Sequence, residues 1–157
     1  MFGKQHFSKK ELLLISNLRK SGRSTLTELS AKTDIPISTI HEKLKHQKLI
    51  RRHTCILDFN MLGYSTVANI LLRVKKGEKD NLQNYLLKHF NVNSLYKVNS
   101  GYDYMVEGIF KNIKEIEEFL EIIDDKFRIR SKQVYYIIDE LAKERFLSEA
   151  EHVNGIV

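Results

Sequence analysis

Between Pro36 and Gln47 the chain sets Ser38, Thr39, Glu42, Lys45 and His46 at intervals that share one side of a helix, at about 100° per residue. Ile40 lies opposite them, with Ile37 and Leu44 beside it and His41 and Lys43 on the flanks. The outer face is therefore short, polar and rich in hydrogen-bonding groups. Base edges in a major groove differ in their donors, acceptors and methyl groups, so a face of this kind is suited to reading DNA. It also fits the solvated side of any small amphipathic helix, and the helix alone leaves the two readings level. Arg51 and Arg52 follow a few residues later and could hold phosphates beside the groove or stand as solvated loop charges. Their basic surroundings favour phosphate. Glu42 is the odd member, since phosphate repels a carboxylate. It is best tolerated facing cytosine N4 or paired with a neighbouring Lys.

Other chemistry is sparse. His41, His46, His53 and Cys55 resemble a metal cluster only in composition, because residues five apart on a helix point about 140° apart. Glu117-Glu118 and Asp124-Asp125 are sequence neighbours and read as a solvated helix face and its end. There is no glycine-rich phosphate loop, serine elbow or paired-histidine zinc motif. The reading is a non-enzyme with no catalytic residue, metal or cofactor.

The polar face needs elements to hold it. From Thr25 to Arg52 the sequence reads as helix, turn, helix. Leu26 and Leu29 mark the first apolar stripe, and Pro36, which disfavours helix at Ile35, marks the break. An earlier helix starts at Ser8, where Glu11 three residues on completes a capping box, and buries Leu12, Ile15 and Leu18 before Ser21-Gly22. Three helices are then followed by an extended segment or wing in RRHTCILD. Residues 1–65 carry 12 Lys and Arg against 5 Asp and Glu, a balance of 12 − 5 = +7; residues 66–157 carry 14 against 15, or −1. The whole basic excess of +6 lies with the three helices, as polyanion binding requires and solubility does not. This lifts the DNA reading above the bland one.

Asn60 to Tyr64 reads as a connector, after which the pattern changes. Strands over Val67–Val74, Ser94–Asn99, Tyr104–Phe110 and Gln133–Ile138 alternate with helices over Asp80–Phe90 and Ile113–Ile123. Two strand-helix-strand units predict a ferredoxin-like βαββαβ sheet with both helices on one face. The fold class is therefore α+β, an N-terminal winged helix-turn-helix followed by a ferredoxin-like domain. The second sheet face includes Leu, Ile, Val and Tyr, and covering it with another copy predicts a homodimer. The expected divisions are 1–58 for DNA binding, 59–65 for the connector, 66–147 for oligomerisation and effector, and 148–157 for a fraying tail, with a terminal helix over Asp139–Leu147. No membrane span or secretory signal is read in the chain, and with Cys55 as the only cysteine no internal disulfide can form, so the expected location is cytoplasmic.

The order of parts, with Ser38-Thr39-Ile40, Ile56-Leu57-Asp58, Leu62-Gly63-Tyr64 and Gly101-Tyr102-Asp103, resembles the Lrp/AsnC family of feast/famine transcriptional regulators over nearly the whole chain. That resemblance implies double-stranded DNA as partner, dimers that assemble further into octamers or related forms, and an amino-acid effector bound near the central turn. The effector residues it points to are Ser100, Gly101, Tyr102 and Asp103. Two departures stand out. About three residues are missing between His46 and the wing, not quite one helical turn, and a single residue separates Gly101 from Asp103 where the family has two. Gly101 thus serves equally well as a turn residue with positive φ. Two other function classes are weighed. The sirohaem decarboxylases resemble the same architecture, with Lys97, Tyr96 and His89 as loose candidates for a tetrapyrrole site. A sheet-mediated assembly or sensor without DNA binding would need a neutral first half, which the charge count opposes.

Overall fold

The structure is a computed structural model and describes residues 7–156. It divides into two compact units: the described part of Met1–Ile56 together with that of Leu141–Val157, and Leu57–Glu140.

The first unit is built on α1 (Lys9–Lys20), α2 (Leu26–Thr33) and α3 (Ile37–Lys45). Ser8 and Thr25 each begin a helix with a reciprocal capping box, closed by Glu11 and Glu28 respectively. Each box satisfies donors that a helix start leaves unpaired. The second box is equally plain in the sequence, as Thr25-Leu26-Thr27-Glu28, but only the first was expected. Leu14, Leu29, Ile35 and Ile40 form the core between the helices, with Leu18, Leu26 and Leu44 packed around it. Asp34 ends α2 in the left-handed region at φ 53°, and Pro36 caps α3. Ile37, expected to face the core, is 45% exposed, because the first residue of α3 overhangs it.

The segment after α3 corrects one expectation. Residues 50–58 carry no strand, so the wing is an unpaired stretch. A β-ribbon requires a partner in register, and none of the described residues pairs with it. A second correction concerns the end of the chain. The helix expected over Asp139–Leu147 is absent; Glu144 and Leu147 have positive φ, which breaks any helix there, and among the described residues the only late helix is α6 (Ala150–Val153). Nor do the residues after Ser148 simply fray. Leu147 and the fully buried Val153 pack against Leu12 and Ile15 of α1. Arg19 pairs with Glu144 at 2.9 Å and Lys20 with Glu149 at 2.8 Å. Val157 lies outside the described residues.

The second unit contains β1 (Thr66–Val74), α4 (Lys79–Lys88), β2 (Val92–Lys97), β3 (Tyr104–Phe110), α5 (Ile113–Lys126) and β4 (Ile129–Tyr136). Its antiparallel sheet runs β2-β3-β1-β4, the ferredoxin-like order. Alternation in β1 sends Ala68, Ile70, Leu72 and Val74 to one face, where they meet Tyr104, Val106 and Phe110 and the buried sides of α4 and α5. In β3, Gly108 leaves room for the ring of Phe110. The opposite face carries Val67, Leu71, Met105 and Ile109 together with Asn69, Glu107 and Gln133, as the strand register requires. It is thus a mixed face, less apolar than strand composition alone suggested. Phe90, the expected last residue of this helix, lies past the end of α4 and is 79% exposed.

Candidate nucleic-acid interface

Ile40 is completely buried and sets α3 on the core of the first unit. That places Ser38, Thr39, Glu42, Lys45 and His46 on the solvent side, all exposed, with His41 exposed beside them. The face is continuous over about two turns, roughly the length a helix can lay against base edges. Pro36 lacks an N–H at the helix start and gives α3 no side-chain cap. Asn17, Ser30 and Thr33 tie the neighbouring backbone instead. Asn17 donates to Leu13 at 2.8 Å, Ser30 Oγ donates to the Ile35 carbonyl at 2.7 Å and Thr33 Oγ1 to Leu29 at 2.7 Å.

The position of Glu42 is explained by its neighbours. Its two carboxylate oxygens lie 3.5 Å from His41 Nδ1 and 3.6 Å from His46 Nε2. The side chains beside it are histidines, not the neighbouring Lys that was one of its two expected settings. Lys43 is directed elsewhere: its ammonium sits 2.6 Å from Glu11 Oε1 on α1. That hydrogen bond, followed by those from the Ser8 backbone and hydroxyl, holds the Glu11 carboxyl down to about 2. Lys43, a member of the expected set, thus has its ammonium engaged with α1. Sequence spacing marks Glu11 only as a helix cap, and nothing in it marks a contact between residues 32 apart. Arg51 and Arg52 are exposed on the unpaired segment that follows α3.

In the second unit, Ser100 and Gly101 have φ of 58° and 96°, so the central turn needs left-handed backbone at two consecutive positions. Gly101 meets the second at no steric cost. The carboxylate of Asp103 accepts a hydrogen bond from the Val74 N–H at 2.9 Å and pairs with Lys79, while its own N–H donates to Leu72 O at 2.9 Å. Burial works against the Asp103 charge, and the contacts with Lys79 and Val74 outweigh it, leaving the carboxyl below its ordinary range. Tyr102 reaches Gln133 at 3.3 Å. These four residues share one turn, and Asp103 is already engaged in holding it to β1.

The tetrapyrrole candidates do not converge. Tyr96 and Lys97 are successive residues of β2 and point to opposite sheet faces. His89 stacks edge-on against Phe119 with centroids 4.7 Å apart, and burial followed by Lys126 lowers its pKa. Among the described residues no group of three or more His, Cys, Asp or Glu is placed to hold a metal ion, and no helix is long and apolar enough to cross a membrane.

The architecture is α+β, a helix-turn-helix unit with an exposed polar second helix followed in the chain by a ferredoxin-like sheet. No protein-family model matches the chain. Individual proteins do. The HTH-type transcriptional regulator FL11 of Pyrococcus abyssi is 36% identical over 113 residues, spanning 70% of this chain and 75% of that protein. FL11 of Pyrococcus furiosus is 32% identical over the same length and the same shares. Among solved structures, a Neisseria meningitidis transcriptional regulator in complex with L-methionine superposes with a TM-score of 0.81 at 17% identity, covering 88% of this chain and 94% of that one. LrpC of B. subtilis gives a TM-score of 0.78 at 18% identity, covering 88% and 98%. The chain belongs to the Lrp/AsnC family of HTH-type transcriptional regulators. This agrees with the family resemblance read from the sequence and leaves the decarboxylase alternative without support.

Proposed function

We propose that α3 reads the major groove through Ser38, Thr39, Glu42, Lys45 and His46, with His41 at its flank, while Arg51 and Arg52 hold the adjoining phosphates. The observation that carries this reading is the uninterrupted exposed polar face of α3 above the buried Ile40. The basic excess of the first 65 residues supplies the attraction to a polyanion. The DNA-binding part is residues 1–58 with the C-terminal arm added, because Leu147 and Val153 share the core of α1; 59–65 is the connector.

The working form is a homodimer or a larger assembly of dimers. Support comes from Tyr96 and Tyr135, about half exposed on the outer sheet face, and from the unpaired segment with Ile56 and Leu57 exposed. A second copy could cover both. An amino acid acts as effector at the turn formed by Ser100, Gly101, Tyr102 and Asp103. The L-methionine complex of the Neisseria meningitidis neighbour favours that class of ligand. The role is that of a regulator acting without catalysis in the cytoplasm.

Selection of bound fragments from random DNA, with and without an amino-acid mixture, tests the reading together with the size of the complex. Enrichment of a two-fold symmetric motif with half-sites about 10 bp or a multiple apart is expected of a dimer. Recovery of fragments with no shared sequence would contradict base reading by α3.

A further inference from the structure

The recognition helix rests on few buried contacts. Of its nine residues only Ile40 is fully buried, Leu44 is partly buried, and Ile37 is 45% exposed. With Ile40 as the main anchor and only Leu44 packed beside it, α3 has few apolar contacts to set its roll about its own axis. Two neighbouring residues at the start of α1 supply polar contacts beyond that anchor. Lys10 Nζ lies 2.9 Å from both the carbonyl oxygen and Oδ2 of Asp34, the left-handed residue that turns the chain from α2 towards α3. Glu11 divides its carboxylate. Oε2 accepts from the Ser8 backbone N–H and hydroxyl, each at 2.8 Å, and Oε1 faces Lys43 Nζ at 2.6 Å. The capping box and Lys43 thus share one carboxylate, each through its own oxygen. Lys43 lies about 60° around α3 from Ile40 and nearly one turn further along, where a fixed contact opposes roll.

We infer that Lys10 and Glu11 are positioning residues for DNA recognition, a charged clamp in which Glu11 sets the roll of α3 through Lys43 and Lys10 fixes the preceding turn through Asp34. Lys43 is then a structural cation and contributes no phosphate contact. The inference rests on the reading of α3 as the recognition helix. Glu11 thereby acts both as a helix cap and as a charge partner. Gln can close a capping box as well as Glu can, whereas only a carboxylate holds an ammonium by charge.

The two roles open to Lys43 predict opposite salt behaviour. Full-length protein carrying Glu11→Gln, Lys43→Gln or Lys43→Arg is titrated with a duplex recovered by selection and with a scrambled duplex across a range of salt. Glu11→Gln removes a negative charge and releases Lys43. Binding to the scrambled duplex is expected to strengthen several-fold, with a salt slope steeper by about one, while the preference for the selected duplex falls about three- to tenfold. Lys43→Gln is expected to lower that preference with the wild-type salt slope unchanged, and Lys43→Arg to retain it. A Lys43→Gln protein whose slope is shallower by about one and which loses affinity equally on both duplexes would show a phosphate contact and overturn the clamp. So would an unchanged preference in Glu11→Gln. Thermal melting of each variant separates misfolding from loss of preference: a Lys43→Gln protein that melts like wild type and still discriminates fully also overturns it. Wild-type protein with no salt-dependent binding to either duplex would instead remove the recognition-helix reading, and the clamp with it.

Discussion

The Glu11 to Lys43 contact has a consequence for stability that can be worked out from the structure. The Glu11 carboxyl falls from 4.5 to about 2, chiefly through the hydrogen bond from Lys43 and then those from Ser8. At about 1.36 kcal/mol per unit this corresponds to roughly 3.4 kcal/mol. Glu11 is 24% and Lys43 35% exposed, so solvent screening reduces the net contribution to about 1–2 kcal/mol. The folded value lies below the unfolded one. The stabilisation is therefore complete above pH 4.5 and is lost as the pH falls towards 2. Glu11→Gln should cost about 1–2 kcal/mol at pH 7, and the gap to wild type should narrow below pH 4.5 and close only towards pH 2, where the folded-state carboxyl protonates and Glu11 resembles Gln. Urea unfolding of both proteins at several pH values measures the gap, and the carboxyl carbon shift of Glu11 in NMR gives its titration directly. A gap that stays constant from pH 7 to pH 3, or a carboxyl that titrates near 4.5, would refute this account of the contact.

Three further outcomes follow from particular contacts. Val153→Ala removes two methyl groups from a site with no exposure and should destabilise the first unit by about 1–2 kcal/mol, read by urea unfolding; an unchanged midpoint would mean the arm does not rest on α1. Asp103→Ala strands the Val74 N–H and the Lys79 ammonium and should cost about 1–3 kcal/mol even without an effector; no loss of stability would return Asp103 to a purely ligand-binding role. Because the Asp103 carboxyl is held below its ordinary range, its share of stability is present at neutral pH and disappears on acidification. Arg51→Gln with Arg52→Gln should weaken binding to every duplex alike and flatten the salt slope by about two, whereas a change in sequence preference would place these arginines on bases.

Local signals made much of this molecule readable. Ser8 with Glu11 marks the first helix, Pro36 marks the break before α3, and the apolar, β-branched run Val67–Val74 marks β1 to within one residue, although the run alone does not say which side of the strand is buried. Tyr104–Phe110 was expected with the bounds it has, because Asp103 and Lys111 flank an uninterrupted strand pattern. What could not be read depends on distant residues. The pattern over Asp139–Leu147 looks helical, yet Leu147 and Val153 are buried by α1, more than a hundred residues away in sequence, and the backbone turns at Glu144 and Leu147 to reach it. The unpaired stretch over 50–58 has strand composition without a strand beside it. In the candidate site the helical wheel put the polar residues of α3 on the solvent side, as observed. It could not place the Lys43 ammonium, whose partner lies on another helix, or the bracketing of Glu42 by His41 and His46, which depends on side-chain rotamers.

The central claim is that α3 distinguishes one base sequence from another. It is tested most directly by comparing wild type with Ser38→Ala, Thr39→Ala and Lys45→Gln for binding to a selected duplex and to variants of it changed one base pair at a time. Each substitution should flatten discrimination by about 1–3 kcal/mol, or roughly 5- to 150-fold, at its own base pairs, while preference elsewhere in the site is retained. Uniform weakening on all duplexes, with every base-pair preference intact, would contradict the account.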